Sequence, residues 1–326
     1  MSQTLADIKA LLDRHGLRPK HQHGQNFLID GNHLRRIVEA ARSLSEHDSG
    51  GPSPQPSPKG TGSERAWRVL EVGPGTGVLT EAMLEAGADV IAVEIDTDLV
   101  DVLRDRLDGA IDGGRLAIVQ GDVLAGKRAI APAVNEAMAE RWGGGAPFTL
   151  VANLPYHVAS PLIANLVVDD LAMRGAVVMV QKEVADRLAA EPGGKDYGAL
   201  GVVVQAGCAV ERVSVLGPGC FWPAPKVASA VVKLTRRAEP IGGDLGRVSR
   251  FAGELFRSRR KQLGGVFRSA GWRWGADGEA GWPAGVESTV RAERLTVSQI
   301  AALAAWVEGR WNSPAGSGID PTPGVP

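Results

Sequence analysis

Four residues, Asn153-Leu154-Pro155-Tyr156, follow the apolar run Phe148 to Ala152 and combine groups that could act on a nitrogen nucleophile. An exocyclic amine on an aromatic base, such as adenine N6, is a poor nucleophile because its lone pair is delocalised into the ring. Two acceptors can change that. The side-chain oxygen of Asn153 and the main-chain carbonyl of Pro155 can each hold one amine hydrogen, which favours a tetrahedral nitrogen with its lone pair aimed at an electrophilic carbon. Proline adds no donor at this point and fixes φ. Tyr156 offers a ring on which an unstacked base can rest, worth ~1–3 kcal/mol. Asn and Pro are also common turn residues, so the tetrapeptide alone fits a plain turn equally well.

A second constellation lies upstream. In Val69-Leu-Glu-Val-Gly-Pro-Gly-Thr-Gly77 a buried strand runs into a helix, and Gly73, Gly75 and Gly77 let the backbone approach a ligand closely. Glu94 ends the next apolar run, 23 residues after Glu71, where a carboxylate can accept from both hydroxyls of a ribose. Asp122, in Gly-Asp-Val, is placed to accept from an adenine amino group. The spacing is G-x-G-x-G and not the G-x-G-x-x-G of dinucleotide sites, and pyrophosphate-binding features are missing nearby, so a nucleoside without phosphates fits better. The plainer alternative makes Glu94 and Asp122 solvated acids at strand ends.

The elements that must position these groups alternate. WRVLEV, ADVIAVEI, RLAIVQ, PFTLVAN and AVVMVQ read as buried strands, with helices from about Thr80, after Thr97 and from Ser160, where Pro161 suits the first turn. VASAVVKLTR, 227–236, reads as a late strand. The pattern predicts an α/β fold, a mostly parallel sheet with helices on both faces and a ligand site beyond the strand carboxyl ends. From about 244 the periodicity turns helical, in FAGELF, RRKQLGGVF and TVSQIAALAAWVEG. The expected division is 1–240, 241–312 as a small helical domain, and a loose tail at 313–326. The Pro-, Gly- and Ser-rich stretch 48–63 reads as a disordered insertion.

Composition narrows the class. The formal net charge is −1, yet residues 226–268 hold eleven Lys or Arg against three acids. Such a stripe can bind a polyanion whatever the total charge, although a charge run is usually a solvated face. Neither a signal-peptide stretch nor a bilayer-length apolar segment is found, so a soluble, cytoplasmic protein is expected. Cys208 and Cys220 stand at a spacing that suits neither a zinc site nor a redox pair, and are expected to be buried thiols.

Other short segments join these in one order: Gln25 to Leu28, Glu71 to Thr80, Glu94 to Asp96, Gly121-Asp122, Asn153 to Tyr156 and Gln181 to Val184. Tyr197-Gly198, Phe221 to Val227, Arg259 to Lys261 and Arg291 to Leu295 follow. Together they span nearly the whole chain, which resembles the ribosomal RNA adenine dimethyltransferase family. That resemblance implies a Rossmann-like class I methyltransferase sheet with a small C-terminal helical domain, S-adenosylmethionine as cofactor, and transfer of two methyl groups to adenine N6.

By the same resemblance Asn26 and Leu28 close over the cofactor, Gly73 approaches its methionine part, Glu94 takes the ribose and Asp122 the adenine. Asn153 adjoins the reacting methyl, and Phe221 stacks opposite Tyr156. Phe27 is expected in the core, while Gln181, Lys182 and Glu183 cap a helix without chemistry. Arg259, Arg260 and Lys261 are expected to meet RNA phosphates. The implied target is two adjacent adenines in the 3′-terminal stem-loop of small-subunit (16S) RNA, within an immature ribosomal subunit, acted on by a monomer without a metal. The form F-x-P-x-P-K-V and the RAERL segment favour that substrate over a large-subunit adenine whose methylation gives antibiotic resistance. A non-catalytic RNA-binding assembly factor is the alternative from another class. His157 departs from the family's usual Asn, and the Trp- and Gly-rich stretch 271–282 falls where more helix is expected.

Overall fold

The computed structural model describes residues 3–20, 24–46, 67–126, 129–169, 171–270, 272, 282–283 and 285–311. The predicted insertion at 48–63 and the predicted tail at 313–326 fall outside the described residues. In chain order the elements are α1 (Leu5–Arg14), β1 (Phe27–Leu28), α2 (Gly31–Glu46), β2 (Arg68–Val72), α3 (Val78–Glu85), β3 (Asp89–Glu94), α4 (Thr97–Arg106), α5 (Asp108–Asp112), β4 (Leu116–Gln120), α6 (Pro132–Trp142), β5 (Phe148–Asn153) and α7 (Tyr156–Val168). Then come β6 (Met173–Gln181), α8 (Lys182–Leu188), α9 (Ala199–Gly207), β7 (Cys208–Leu216), β8 (Phe221–Trp222), β9 (Ser229–Arg236), α10 (Leu245–Arg257), α11 (Leu263–Ser269) and α12 (Val297–Trp311).

Seven strands form one sheet in the order β4-β3-β2-β5-β6-β9-β7. From β4 to β6 the pairing is parallel, and β9 joins β6 antiparallel. The chain starts in the middle at β2, works outward to β4, and returns to β5 on the other side of β2. That reversal leaves a crevice at the carboxyl ends of β2 and β5, where open sheets of this kind bind ligands. The strands read as continuous apolar runs because both faces are covered: Val69, Leu70, Val90, Ile91, Leu150 and Val151 are fully buried. This is an α/β fold with a mostly parallel sheet, as the sequence leads one to expect.

Two elements differ from the sequence reading. Helix α7 begins at Tyr156 and not at Ser160, so Pro161 lies inside it and not in its first turn. The helix starts early because the Pro155 carbonyl accepts from both Val158 N (3.0 Å) and Ala159 N (3.2 Å). Strand β7 went unrecognised in the periodicity because its middle is only half-buried and carries Glu211 and Arg212.

The chain forms two compact units: Met1–Leu166 with Asp170–Ala185 and Glu211–Arg236, and Val167–Asp169 with Asp186–Val210 and Arg237–Pro326. A boundary at 240 assigns 186–210 to the first domain, whereas these residues belong to the second unit, where α9 packs against α10 and α12. Helix α9 is apolar except for Gln205, with Val202, Val204 and Ala206 fully buried, so it fills an interior. The two described tryptophans of the 271–282 stretch are half-buried and join an aromatic cluster of this unit. Trp272 stacks on Phe251 (5.1 Å, 23°) and Trp282 on Trp306 (5.8 Å, 25°), with Phe267 edge-on to both.

Candidate active site

The strand ends around the reversal deliver the site. Beyond β2 the loop turns through Gly73 (φ 69°), Gly75 (φ 60°) and Gly77 (φ 80°), conformations that favour glycine. A Cβ on Gly77 would come within 2.8 Å of Leu103 Cδ2, and one on Gly75 within 3.0 Å of the Phe27 ring. These two glycines therefore let the loop pack down on α4 and β1. A Cβ on Gly73 would instead project toward the Pro155 ring at 3.7 Å, into the gap between the loop and the end of β5. That gap belongs to a cleft of about 220 Å3 walled by Asn26, Leu28, Gly73, Glu94, Asp122 and Asn153. Each residue expected to hold the cofactor is thus brought to one place.

The polar groups are set by local bonds. Glu94, 5% exposed, accepts from Gly75 N (3.1 Å) and Asp96 N (3.0 Å). Burial pushes its carboxyl above the usual range, while those amide bonds favour the charged form and oppose the rise. Deeper still, Glu71 is buried and bonded by Thr80 Oγ1 at 2.6 Å. Burial drives its carboxyl up to about 8, opposed by the Thr80 bond and reinforced by the charge of Glu94. Asp122 is exposed, lines the cleft and accepts from Leu124 N at Oδ1 (2.9 Å). Beside it Ile95, 52% exposed, lines the same cleft and offers an apolar face to a flat base.

Asn153 is held by one end only. Its Nδ2 donates to the Asn26 carbonyl at 2.9 Å, and Asn26 in turn donates to the Gly24 carbonyl at 3.0 Å. Among the described residues Oδ1 accepts nothing, so the acceptor end is available to the cleft. The second acceptor expected, the Pro155 carbonyl, has other partners. Pro155 O already accepts two amide bonds at the start of α7, whereas Leu154 uses its N–H on Met179 O (3.0 Å) and its carbonyl meets no donor among the described residues. The Leu154 carbonyl, one residue before that of Pro155, thus has no described partner.

Other expectations are also revised. Phe221 is 4% exposed, lies in the core cluster with Phe27 and Leu28, and is paired with Leu28 across the short β1–β8 ladder. It packs as a core residue here and presents no free face for stacking. The side chains of Tyr156 and His157 are outside the described residues. The Arg259 to Lys261 run sits on the turn after α10 and not on a helix. Arg259 is tied down, with Nε on Glu293 (2.9 Å) and Nη2 on the Gly194 carbonyl (3.1 Å), while Arg260 and Lys261 are exposed. Cys208 is buried as expected, but Cys220 is half-exposed.

One group escaped the sequence reading. Lys20 Nζ bridges Asp96 Oδ1 and Asp98 Oδ2, both at 2.7 Å, and Gln25 Nε2 reaches Asp96 Oδ2 at 2.7 Å. These bonds raise the pKa of Lys20. For Asp96 burial works upward, but the bonds from Lys20 and Gln25 prevail and hold its carboxyl below the usual range. The network fastens the segment before β1 to the start of α4, two residues from Glu94.

The sequence profile described as ribosomal RNA adenine dimethylase matches residues 16–308. The chain is 39% identical over 309 residues to the ribosomal RNA small subunit methyltransferase A of Streptomyces griseus, covering 92% of this chain and 93% of that protein. It is 39% identical over 311 residues to the protein of the same name in Nocardia farcinica, covering 92% and 94%. Among solved structures, a dimethyladenosine transferase from Plasmodium falciparum superposes with a TM-score of 0.62 at 23% identity, covering 87% of this chain and 98% of that one. A 23S rRNA methyltransferase superposes at 0.56 with 24% identity, covering 87% and 100%. At those identities the superpositions speak for the fold. The profile match and the two close relatives place the chain in the ribosomal RNA adenine dimethylase family.

Proposed function

We propose that the chain is an S-adenosylmethionine-dependent dimethyltransferase for adenine N6 in small-subunit ribosomal RNA, with two adjacent adenines of the 3′-terminal stem-loop as targets. The observation that carries it is the one-ended tether of Asn153: an amide whose nitrogen is held by Asn26 must present its oxygen. The residues of the cleft fit the cofactor. Glycine backbone at Gly73 leaves room for a chain to pass, a buried carboxylate at Glu94 suits a pair of hydroxyls, and Asp122 with Ile95 suits a base edge and face. When bound, the cofactor supplies a methyl group on a positively charged sulfur.

The remaining work falls to the protein. Asn153 Oδ1 and Leu154 O accept the two hydrogens of N6 and draw its lone pair out of the ring plane, an interaction that strengthens as positive charge grows on nitrogen. After each transfer the amine is cationic and strongly acidic, so its proton leaves to water without a dedicated base. Once one methyl is in place, a single hydrogen remains for the two acceptors. Arg260 and Lys261 meet the RNA backbone, and the substrate is RNA within an immature subunit, recognised by shape and splayed bases. The enzyme acts as a monomer in the cytoplasm without a catalytic metal, which a complete acceptor pair and cofactor cleft within one chain support. Among the described residues no helix is long and apolar enough to cross a membrane.

Calorimetric titration with S-adenosylmethionine tests the reading against that of a non-catalytic RNA-binding factor. Binding to the native chain and a severe loss in Glu94→Ala, with the fold retained by circular dichroism, is the expected result. Equal affinity in the variant removes Glu94 from the site.

A further inference from the structure

Outside the cleft, the β1–β8 ladder gathers three chemically different side chains. Ile29 N donates to the Cys220 carbonyl at 2.9 Å, extending the Phe27–Trp222 and Leu28–Phe221 pairing by one step. Asp30 follows and uses Oδ1 to hold the first amides of α2, Asn32 N at 2.9 Å and His33 N at 3.0 Å. Its Oδ2 turns the other way and stands 3.9 Å from Cys220 Sγ. The His33 ring completes the group, steadied by Ser214 Oγ at 3.4 Å from Nδ1. One ligand atom from each of Asp30, His33 and Cys220 lies within 4.8 Å of the others, and all three residues are half-buried, so solvent reaches them.

We propose that Asp30, His33 and Cys220 form a binding site for a single thiophilic divalent cation, best fitted by Zn2+. One sulfur, one imidazole nitrogen and one carboxylate oxygen suit a tetrahedral borderline-soft ion with water in the fourth position, whereas Ca2+ and Mg2+ take oxygen ligands. The ladder and the Asp30 bonds to α2 hold the backbone that carries the three groups, whose ligand atoms must draw closer than 4.8 Å to reach tetrahedral spacing. Ligation converts the Cys220 thiol to a thiolate and releases its proton to solvent. In the metal-free state burial, aided by the Asp30 charge, raises that thiol's pKa and keeps it protonated. An ion here would tie the end of β1 to the start of β8. Strand β1 follows directly on Asn26, whose carbonyl holds Asn153, so occupancy would stiffen the support of that amide without touching substrate.

The test uses the full chain, free of any affinity tag and stripped by chelator, titrated with Co2+ as a spectroscopic probe and then with Zn2+. One equivalent of Co2+ should give a thiolate-to-metal charge-transfer band that Zn2+ abolishes. Cys220→Ser should remove the band, and His33→Gln and Asp30→Asn should weaken affinity by at least about tenfold, no less than loss of an outer-shell partner. Zn2+ should also slow alkylation of Cys220. Absence of a charge-transfer band at stoichiometric Co2+, or a band that persists in Cys220→Ser, would overturn the proposal. If Cys220→Ser does not fold, His33→Gln decides alone, since unchanged affinity there contradicts the site.

Discussion

At Asn153 one end of the amide has a partner and the other has none among the described residues, and the proposed chemistry follows from that division. The nitrogen is occupied by the Asn26 carbonyl, 127 residues away in sequence, so the oxygen is preorganised before substrate arrives. Removing it in Asn153→Ala should lower methyl transfer by about 10²–10³ while RNA still binds, because only a contact strengthened in the transition state is lost. Single-turnover transfer beside a binding isotherm checks both halves. Glu71 gives a second test. Its carboxyl titrates near 4.5 when exposed and at about 8 when folded, so the folded state holds an extra proton between those values. Stability of the cofactor-free protein should therefore be undiminished below about pH 4.5 on account of this group and fall progressively as pH rises toward 8. Glu71→Gln should flatten that part of a denaturation series, and an equal slope in both proteins would show that Glu71 ionises freely. Glu94 and Asn153 drew attention in the sequence because each ends a buried strand, and Asp122 because it follows the end of β4 by two residues. Leu154 was not, because a main-chain acceptor has no residue signature, and only the bonds from Val158 and Ala159 to Pro155 reveal which carbonyl is free.

Among the elements, the short segment from Lys20 to Leu28 matters more than its length suggests. Lys20 and Gln25 fasten it to Asp96, and Asn26 fastens it to Asn153, so α4, β1 and β5 are joined through it. Lys20→Met should weaken cofactor binding and leave the sheet intact, as read by calorimetry and circular dichroism; unchanged affinity would make the bridge merely a surface feature. The strands of the central sheet were legible because burial on both faces writes itself as β-branched runs. Strand β7 was not, since its half-exposed middle breaks that run, and nothing in the sequence around Lys20 announces two carboxylates 76 and 78 residues away. The turn after α10 divides its basic run by role. Arg259→Ala should destabilise the second unit by removing the Glu293 and Gly194 contacts, whereas Arg260→Ala with Lys261→Ala should lower RNA affinity and its salt dependence. Salt-slope measurements on the two variants separate a structural arginine from phosphate contacts.

For the whole molecule, charge and division into units set what the chain can address. The basic residues of 226–268 are shared between both units, a partition that linear counting cannot show. The boundary near 240 was misplaced for a related reason: α9 looks like one more sheet-covering helix in sequence, yet its apolar surface is buried among α10 and α12. The central claim concerns the reaction itself and is tested most directly by incubating the protein with immature small subunits and methyl-labelled S-adenosylmethionine, then mapping modified bases. Two labelled methyls on N6 of each of two adjacent adenines in the 3′-terminal stem-loop, and none with Asn153→Ala over the same period, is the predicted result. Label on large-subunit RNA, at a position other than adenine N6, or at an equal rate in Asn153→Ala would contradict it.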